Sequence, residues 1–288
     1  MNLSSRSARA TSIGTPAPLT KSEFDWISRF LFERAGISLN SSKHALVMGR
    51  LDKRLRFRKL NNYSDYFKLL GTPGFEDETT MAIDLLTTNE TYFFRESKHF
   101  EFLSQQVFPQ HKEARPFRIW SAASSSGEEA YSIAMTAAEF FAAGNWEVLG
   151  TDISTRVVDK AKCGLYPMAA SEKIPRPLLR KYCLKGCDEY TDFFLIDRML
   201  RAKVNFHVAN LNQHLPELGL FDVIFLRNVM IYFSHETKQK LVQRLVELLR
   251  PGGYFIISHS ETLNGLNTPL TALSPSIYQY TQTRKDLR

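Results

Sequence analysis

From about residue 117 the sequence alternates short apolar runs that end in polar residues with longer segments of helical periodicity. FRIWSAA (117–123) reads as a strand closing in small residues, and SSSGEE turns the chain. EAYSIAMTAAEFFAA then places Tyr131, Ala134, Met135, Ala138 and Phe141 on one helical side, and Gly144 ends it. EVLGTD is a second strand with Asp152 at its exit. VNFHVAN and FDVIFLRN are strands with polar ends, HETKQKLVQRLVELL is a helix, PGG a tight turn and YFIISHSE a further strand. Strands separated by helices must run mostly parallel, in a sheet covered on both faces. Ligands of such sheets bind beyond the carboxyl ends of the strands, where the polar residues sit.

Residues 164–203 interrupt this rhythm and are too long for an ordinary connection, so they predict a small inserted subdomain of antiparallel strands. Upstream, the chain reads as a helical domain over 20–86. Thr20 and Glu23 form a capping box, and Phe24, Ile27 and Leu31 make an apolar stripe that stops at Gly36. A basic helix follows, then YSDYFKLL closed by Gly71, then EDETTMAIDLL. Residues 87–114 are a linker with a connecting helix from about 97 to 113, and 115–288 form the strand–helix domain. Residues 1–19, rich in Ser and Arg and free of acids, predict a disordered tail.

The charge is unevenly spread. KHALVMGRLDKRLRFRK (43–59) carries seven basic residues against Asp52 alone, a net +6 out of the chain's +7. Leu46, Val47, Leu51 and Leu55 fall at helical spacing, so one face is buried and the other strongly basic. Such a face is either solvated or meets an anionic partner: nucleic acid, acidic membrane or acidic protein. No run of about 18 apolar residues exists, which predicts no membrane span, and the N-terminus lacks the apolar core of a secretory signal. Cys163, Cys183 and Cys187 are an odd set without a CxxC pair, predicting a reducing compartment, a cytoplasmic location, no disulfide framework and no metal.

A strand, a small-residue turn, a helix and an acid about 20 residues later are the general fingerprint of an adenosine ligand, the acid accepting from ribose hydroxyls. A nicotinamide dinucleotide would require a G-x-G-x-x-G loop. Here Gly127 stands alone in AASSSGEE, and two glutamates follow where a pyrophosphate would have to lie. S-adenosylmethionine has the nucleoside but cationic groups in place of phosphate, and an acidic helix start suits it better. Acidic residues are also favoured at any helix N-terminus, so the charge argument is not exclusive.

TTNETYFFRE (87–96) groups small hydrogen-bonding residues, three aromatics and an arginine in a way that suits neither a half-buried strand nor an amphipathic helix. Together with WSAASSSGEEAYSIA, FDVIFLRNVMIYF and LLRPGGYFIISHSE, it resembles the CheR family of chemotaxis receptor methyltransferases over about residues 20–282. The resemblance implies a helical N-terminal domain, a class I methyltransferase domain of Rossmann-like α/β type and an antiparallel β insertion. It implies that Asn89 and Thr91 hydrogen-bond S-adenosylmethionine, and that Arg95 holds its carboxylate or that of the substrate. Tyr92, Phe93 and Phe94 would wall the site and pack the joint. Glu129, and with it Glu128, would face the methionine amino group, Asp152 the ribose, and Asn210 and Leu211 the adenine side. Arg227 and Asn228 would line the pocket, and Tyr232 would point its hydroxyl toward the transferring methyl.

The implied reaction is methyl transfer to glutamate side chains of chemoreceptor cytoplasmic helices, leaving S-adenosylhomocysteine. A glutamate of pKa ~4.3 is already ionised at neutral pH, so no general base is required. Arg50, Lys53, Arg54 and Arg58 of the basic helix would meet the acidic receptor, with no nucleic acid, no direct membrane insertion and a monomeric enzyme. The insertion could dock elsewhere on the receptor, although KGCDEYTDFFLI lacks the glycine-rich turn expected of peptide-binding members. The alternatives are a nucleic-acid methyltransferase, which would place the +6 helix on phosphates, a small-molecule methyltransferase, and a non-catalytic module. No N-P-P-Y or Pro-Cys motif supports the first; RNVMIY stands where it is expected.

Overall fold

The computed structural model describes residues 16–87, 89–141 and 144–281. The tail expected over 1–19 therefore lies mostly outside the described residues. Its last part packs: Leu19 is buried in the helical core and the Ala17 N–H donates to Asn61 O at 2.8 Å.

The N-terminal unit is built from α1 (Lys21–Ala35), α2 (His44–Phe57), α3 (Tyr63–Leu70) and α4 (Glu76–Leu86). Both halves of the predicted capping box form at α1, Glu23 N–H to Thr20 Oγ1 and Thr20 N–H to Glu23 Oε2. Phe24, Ile27 and Leu31 pack against Val47, Leu51 and Leu55 of α2 and Tyr63, Tyr66 and Phe67 of α3. α1 stops at Gly36, whose left-handed φ of +71° favours glycine.

The basic helix departs from expectation. Arg54 and Arg58 do not stand on an open face; both turn to Glu78 at the start of α4. Arg54 Nε donates to Glu78 Oε1 at 2.7 Å, Arg58 Nε to Oε2 at 2.6 Å, and the Tyr66 hydroxyl to Oε1 at 2.8 Å. The cause is Glu78 itself: a fully buried carboxylate must be met by charge and hydrogen bonds or be neutralised. Arg50 donates to Leu85 O and Thr87 O, fastening the end of α4. Lys43, Lys53, Arg56 and Lys59 remain exposed.

Helical turns run on from α5 (Lys98–Phe102) through residue 110. The second unit follows as β1 (Phe117–Ser121), α6 (Glu128–Phe141), β2 (Trp146–Asp152), α7 (Thr155–Cys163), β3 (Leu165–Pro167), α8 (Arg176–Tyr182), β4 (Cys183–Lys185), β5 (Phe193–Ile196), α9 (Arg198–Arg201), β6 (Val204–Val208), β7 (Phe221–Phe225), α10 (His235–Val246), β8 (Leu249–Ile256), β9 (Leu270–Ser274) and β10 (Ile277–Tyr280). The main sheet has the order β6-β2-β1-β7-β8-β10-β9, parallel through β8 and antiparallel at β10 and β9. Its direction of growth reverses between β1 and β7, which opens a crevice at their carboxyl ends. The fold is thus the expected mostly parallel α/β sheet. β3, β5 and β4 form the separate antiparallel sheet of the insertion.

Two features differ from the periodicity. PGG is not a turn before the strand but a bulge within β8, where the register jumps from Phe221↔Leu249 to Val223↔Tyr254. Gly252 takes φ +79°, and a Cβ on Gly253 would lie 2.8 Å from Arg250 O and 2.9 Å from Asp222 O. The β9–β10 hairpin extends the sheet although β9 is largely exposed and carries no clear alternation.

Candidate active site

A cavity of about 450 Å³ lies between the helical unit and the carboxyl ends of β1, β2 and β7, within the roughly 300–1,000 Å³ usual for small-molecule sites. It is lined by Asn89, Thr91, Tyr92, Arg95, Glu129, Asp152, Asn210, Leu211, Arg227, Asn228 and Tyr232, so residues far apart in sequence meet as expected. Lys43, just before α2, and Leu46 and Arg50 on it line the cavity from the other unit, as does the segment 37–40 after α1. Lys53 lies one turn beyond Arg50 on α2. Arg54 and Arg58 do not line the cavity.

Asp152 ends β2 and is almost wholly buried. Its Oδ2 accepts from Ser125 N–H at 2.9 Å and its Oδ1 from Ser154 N–H at 3.0 Å. Burial pushes its carboxyl pKa up, the two backbone donors pull it down, and Asp84 on α4 adds to the rise. Asp84 itself crosses between units to Thr155 Oγ1 and Arg156 N–H at the start of α7.

The two glutamates that follow Gly127 separate. Glu129 faces the cavity, held by Ser121 Oγ at 2.7 Å and Arg227 Nη1 at 2.7 Å. Glu128 does not face it: it is buried and folds back on Ser126 Oγ, with Lys160 at 4.0 Å, and burial raises its pKa. Helical rotation of 100° per residue explains the split.

TYFFRE also divides by role. Phe93 is buried against Tyr166 and Phe194 of the insertion, and Phe94 packs edge-on to Phe100. Tyr92 stays exposed at the cavity, 5.6 Å from the Arg95 guanidinium. Phe94 and Glu96 both take positive φ, and the turn is held by Phe94 N–H to Ser132 Oγ and by Arg227 Nη2 to Arg95 O at 2.6 Å. Arg95 Nη1 donates to Glu90 O at 3.0 Å. Arg227 also meets Glu96 at 3.2 Å, while its buried Nε has no partner among the described residues.

Asn210 is largely occupied by structure. Its amide donates to Arg34 O at 2.6 Å and its oxygen accepts from Asn212 N–H at 3.0 Å, leaving Leu211 as the apolar contact there. Tyr232 closes a short helical turn and accepts Ser38 N–H on its carbonyl. Sequence reasoning missed Glu261: its carboxylate accepts the N–H groups of Asn228, Val229, Met230 and Ser258 at 2.8–3.0 Å, holding Asn228 at φ +58°. SHSE after an apolar strand is the signal, but nothing local names its partners. Ser38 and Asp84 were missed likewise.

The fold, with an acid at the end of β2, a carboxylate at the start of α6 and no glycine-rich phosphate cradle, defines a class I methyltransferase that uses S-adenosylmethionine. The cavity fits that group: its carboxylates suit a cationic ligand, and Arg227 Nε supplies an unsatisfied donor in its wall. A family model described as the all-alpha domain of CheR methyltransferase matches residues 22–87, and one described as the SAM binding domain matches 89–278. The chain is 38% identical to chemotaxis protein methyltransferase 2 of Pseudomonas aeruginosa, covering 92% of this chain and 98% of that one. It is 36% identical to the chemotaxis protein methyltransferase of Escherichia coli K12 (90% and 91% covered) and 36% to that of Borreliella burgdorferi (91% and 95%). The chain belongs to the CheR methyltransferase family. Among the described residues no helix is long and apolar enough to cross a membrane.

Proposed function

We propose that this methyltransferase esterifies glutamate side chains on the cytoplasmic helices of bacterial chemoreceptors, acting in the cytoplasm as a monomer in signal transduction. The observation that carries the reading is the make-up of the cavity: Lys43 and Arg50 stand in its wall with Arg95, cationic groups suited to an incoming carboxylate. An amine or hydroxyl substrate needs a group to take its proton. A carboxylate of pKa ~4.3 does not. When bound, the cofactor supplies an electrophilic methyl group. The chain's own work is alignment and exclusion of water, and alignment alone can lower a barrier by about 7–11 kcal/mol.

In this reading Asp152 takes the ribose, Glu129 the ammonium and Leu211 the purine side, with Asn89, Thr91 and Asn228 on the rim. Arg95 orients the incoming carboxylate, or that of the cofactor, beside Tyr232. Lys43, Arg50 and Lys53 form the stripe along which an acidic helix lies. Arg54 and Arg58 act indirectly, by fixing α2 on α4.

The test is incubation of the enzyme with labelled methyl donor and membranes from its own host. Label should enter receptors and be released by base, as a carboxyl ester must be. An unlabelled receptor fragment should abolish labelling and excess RNA or DNA reduce it weakly. Base-stable label, or labelled nucleic acid, overturns the assignment and promotes a nucleic-acid substrate.

A further inference from the structure

Outside the cavity lining, Glu96, His99 and His259 come together beside the turn that follows the aromatic segment. One potential ligand atom from each of the three lies within 4.8 Å of those of the other two. The carboxylate oxygen is 3.6 Å from His99 Nδ1 and 4.0 Å from His259 Nδ1. Ligand atoms around a tetrahedral ion with bonds of about 2.0–2.1 Å are separated by roughly 3.3–3.4 Å. An inward movement of the half-exposed His259 ring closes the triangle.

His99 supplies the independent observation. It is 1% exposed, yet its Nδ1 has no hydrogen-bond partner among the described residues. Its other nitrogen, Nε2, lies 2.7 Å from Ser276 Oγ, and the Ser276 hydroxyl donates to Pro275 O. With that proton committed, Nε2 must donate to Ser276 Oγ. Nδ1 is then a bare lone pair directed at a carboxylate oxygen and a second imidazole. Two acceptors, this nitrogen and the Glu96 oxygen, thus face one another 3.6 Å apart with no proton between them. An imidazole whose far N–H is anchored by a second residue is also how metal-bound histidines are oriented.

We infer that Glu96, His99 and His259 bind a late first-row divalent transition metal ion, with solvent in the fourth position. Two imidazoles to one carboxylate select zinc, cobalt, nickel or copper over magnesium and calcium, which prefer all-oxygen shells. The exposed edge of His259 is the entrance. Arg227 shapes the consequence, because its Nη2 is 3.2 Å from the same Glu96 oxygen. Ion and guanidinium compete for Glu96, and Arg227 also holds Arg95 O and Glu129 in the cavity wall. Occupation of the metal site therefore loosens the wall and weakens cofactor binding; by reciprocity, cofactor weakens metal binding by the same factor.

The experiment titrates cobalt(II), then zinc(II), into the full-length protein freed of metal by chelation. The expected result is one equivalent of cobalt with the intense visible absorption of four-coordinate geometry, displaced by zinc. His259→Ala, at a half-exposed ring, should abolish the band, and Ser276→Ala should weaken binding by about 10- to 100-fold. Calorimetry should show zinc lowering the affinity for S-adenosylhomocysteine in wild type and not in His259→Ala. No stoichiometric binding, or a band and a zinc effect that persist in His259→Ala, overturns the site. Cofactor binding by His259→Ala in chelator should match wild type, so failure here is distinguishable from failure of the methyltransferase assignment.

Discussion

Two buried arginine–carboxylate clusters sit in this molecule and do opposite work. In the helical unit, Glu78 is enclosed by Arg54, Arg58 and Tyr66, and every oxygen has a donor. At the joint, Arg227 is shared between Glu129, Glu96 and Arg95 O, yet its Nε and the neighbouring His99 Nδ1 have no partner among the described residues. The closed cluster fixes a fold. The open one borders a cavity and leaves capacity for something else. An arginine's role is read from whether its surroundings are satisfied, not from the charge it carries.

The largest expected effect breaks the closed cluster. Glu78→Gln leaves two arginines facing a buried neutral amide, and losing one partner of a buried pair costs about 3–5 kcal/mol. Urea denaturation should register that loss, while cofactor affinity in the protein that remains folded should be unchanged. A change below 1 kcal/mol would mean the cluster is ornamental.

Acid gives a nearly equal effect. Burial alone would raise the Glu78 pKa, but hydrogen bonds from Arg54, Tyr66 and Arg58 overcome it and hold it at about 2. A carboxyl depressed in the folded state contributes stability that is complete above its unfolded value and lost as pH falls through its folded value. From an ordinary value of 4.5 to about 2, the contribution is roughly 3 kcal/mol. Stability should decline across that window, and Glu78→Gln should flatten the decline.

At the open site, Asp152→Ala should cost about 1.5–3 kcal/mol of S-adenosylmethionine affinity, the scale for hydrogen bonds to a charged group. Calorimetry measures it, and tight binding of NADH by either protein would contradict the cavity's chemistry. Arg95→Ala should fold normally and lose most turnover, and Arg95→Lys should stay poor because a point charge cannot reproduce the planar fork. Near wild-type rates in both would make the segment a packed linker.

The smallest effect sharpens the comparison along α2. Lys53→Glu, on an exposed side chain, should leave melting and cofactor affinity unchanged. It should slow receptor methylation at subsaturating receptor, with a rate that falls as salt rises, because charges beyond about 8 Å are screened at physiological ionic strength. Arg54→Glu in the same assay should lose folded protein instead.

The parallel sheet, the insertion and the strand-end residues Asp152, Arg227 and Asn228 were legible because periodicity and burial are local signals. The basic helix was misread for a complementary reason. Arg50, Arg54 and Arg58 recur every fourth residue, but what they face is decided by Glu78 on another helix. Glu128 and Glu129 look alike in sequence, and only rotation about α6 assigns one to the cavity. Glu261, Asp84 and Glu96 acquire meaning from backbone groups and rings brought close by topology, for which no spacing rule exists. The bulge at PGG was hidden because the same glycines also spell a turn.

Glu261 has a consequence for the order of assembly. The loop carrying Arg227 and Asn228 is synthesised more than 30 residues before the carboxylate that gathers its N–H groups. Domains form largely as they emerge from the ribosome, N-terminal first. A nascent chain can therefore complete its helical unit and its first strands while one wall of the cavity is still unsupported. Support for that wall arrives late in translation, once residue 261 has cleared the exit tunnel and can reach back to the N–H groups of 228–230.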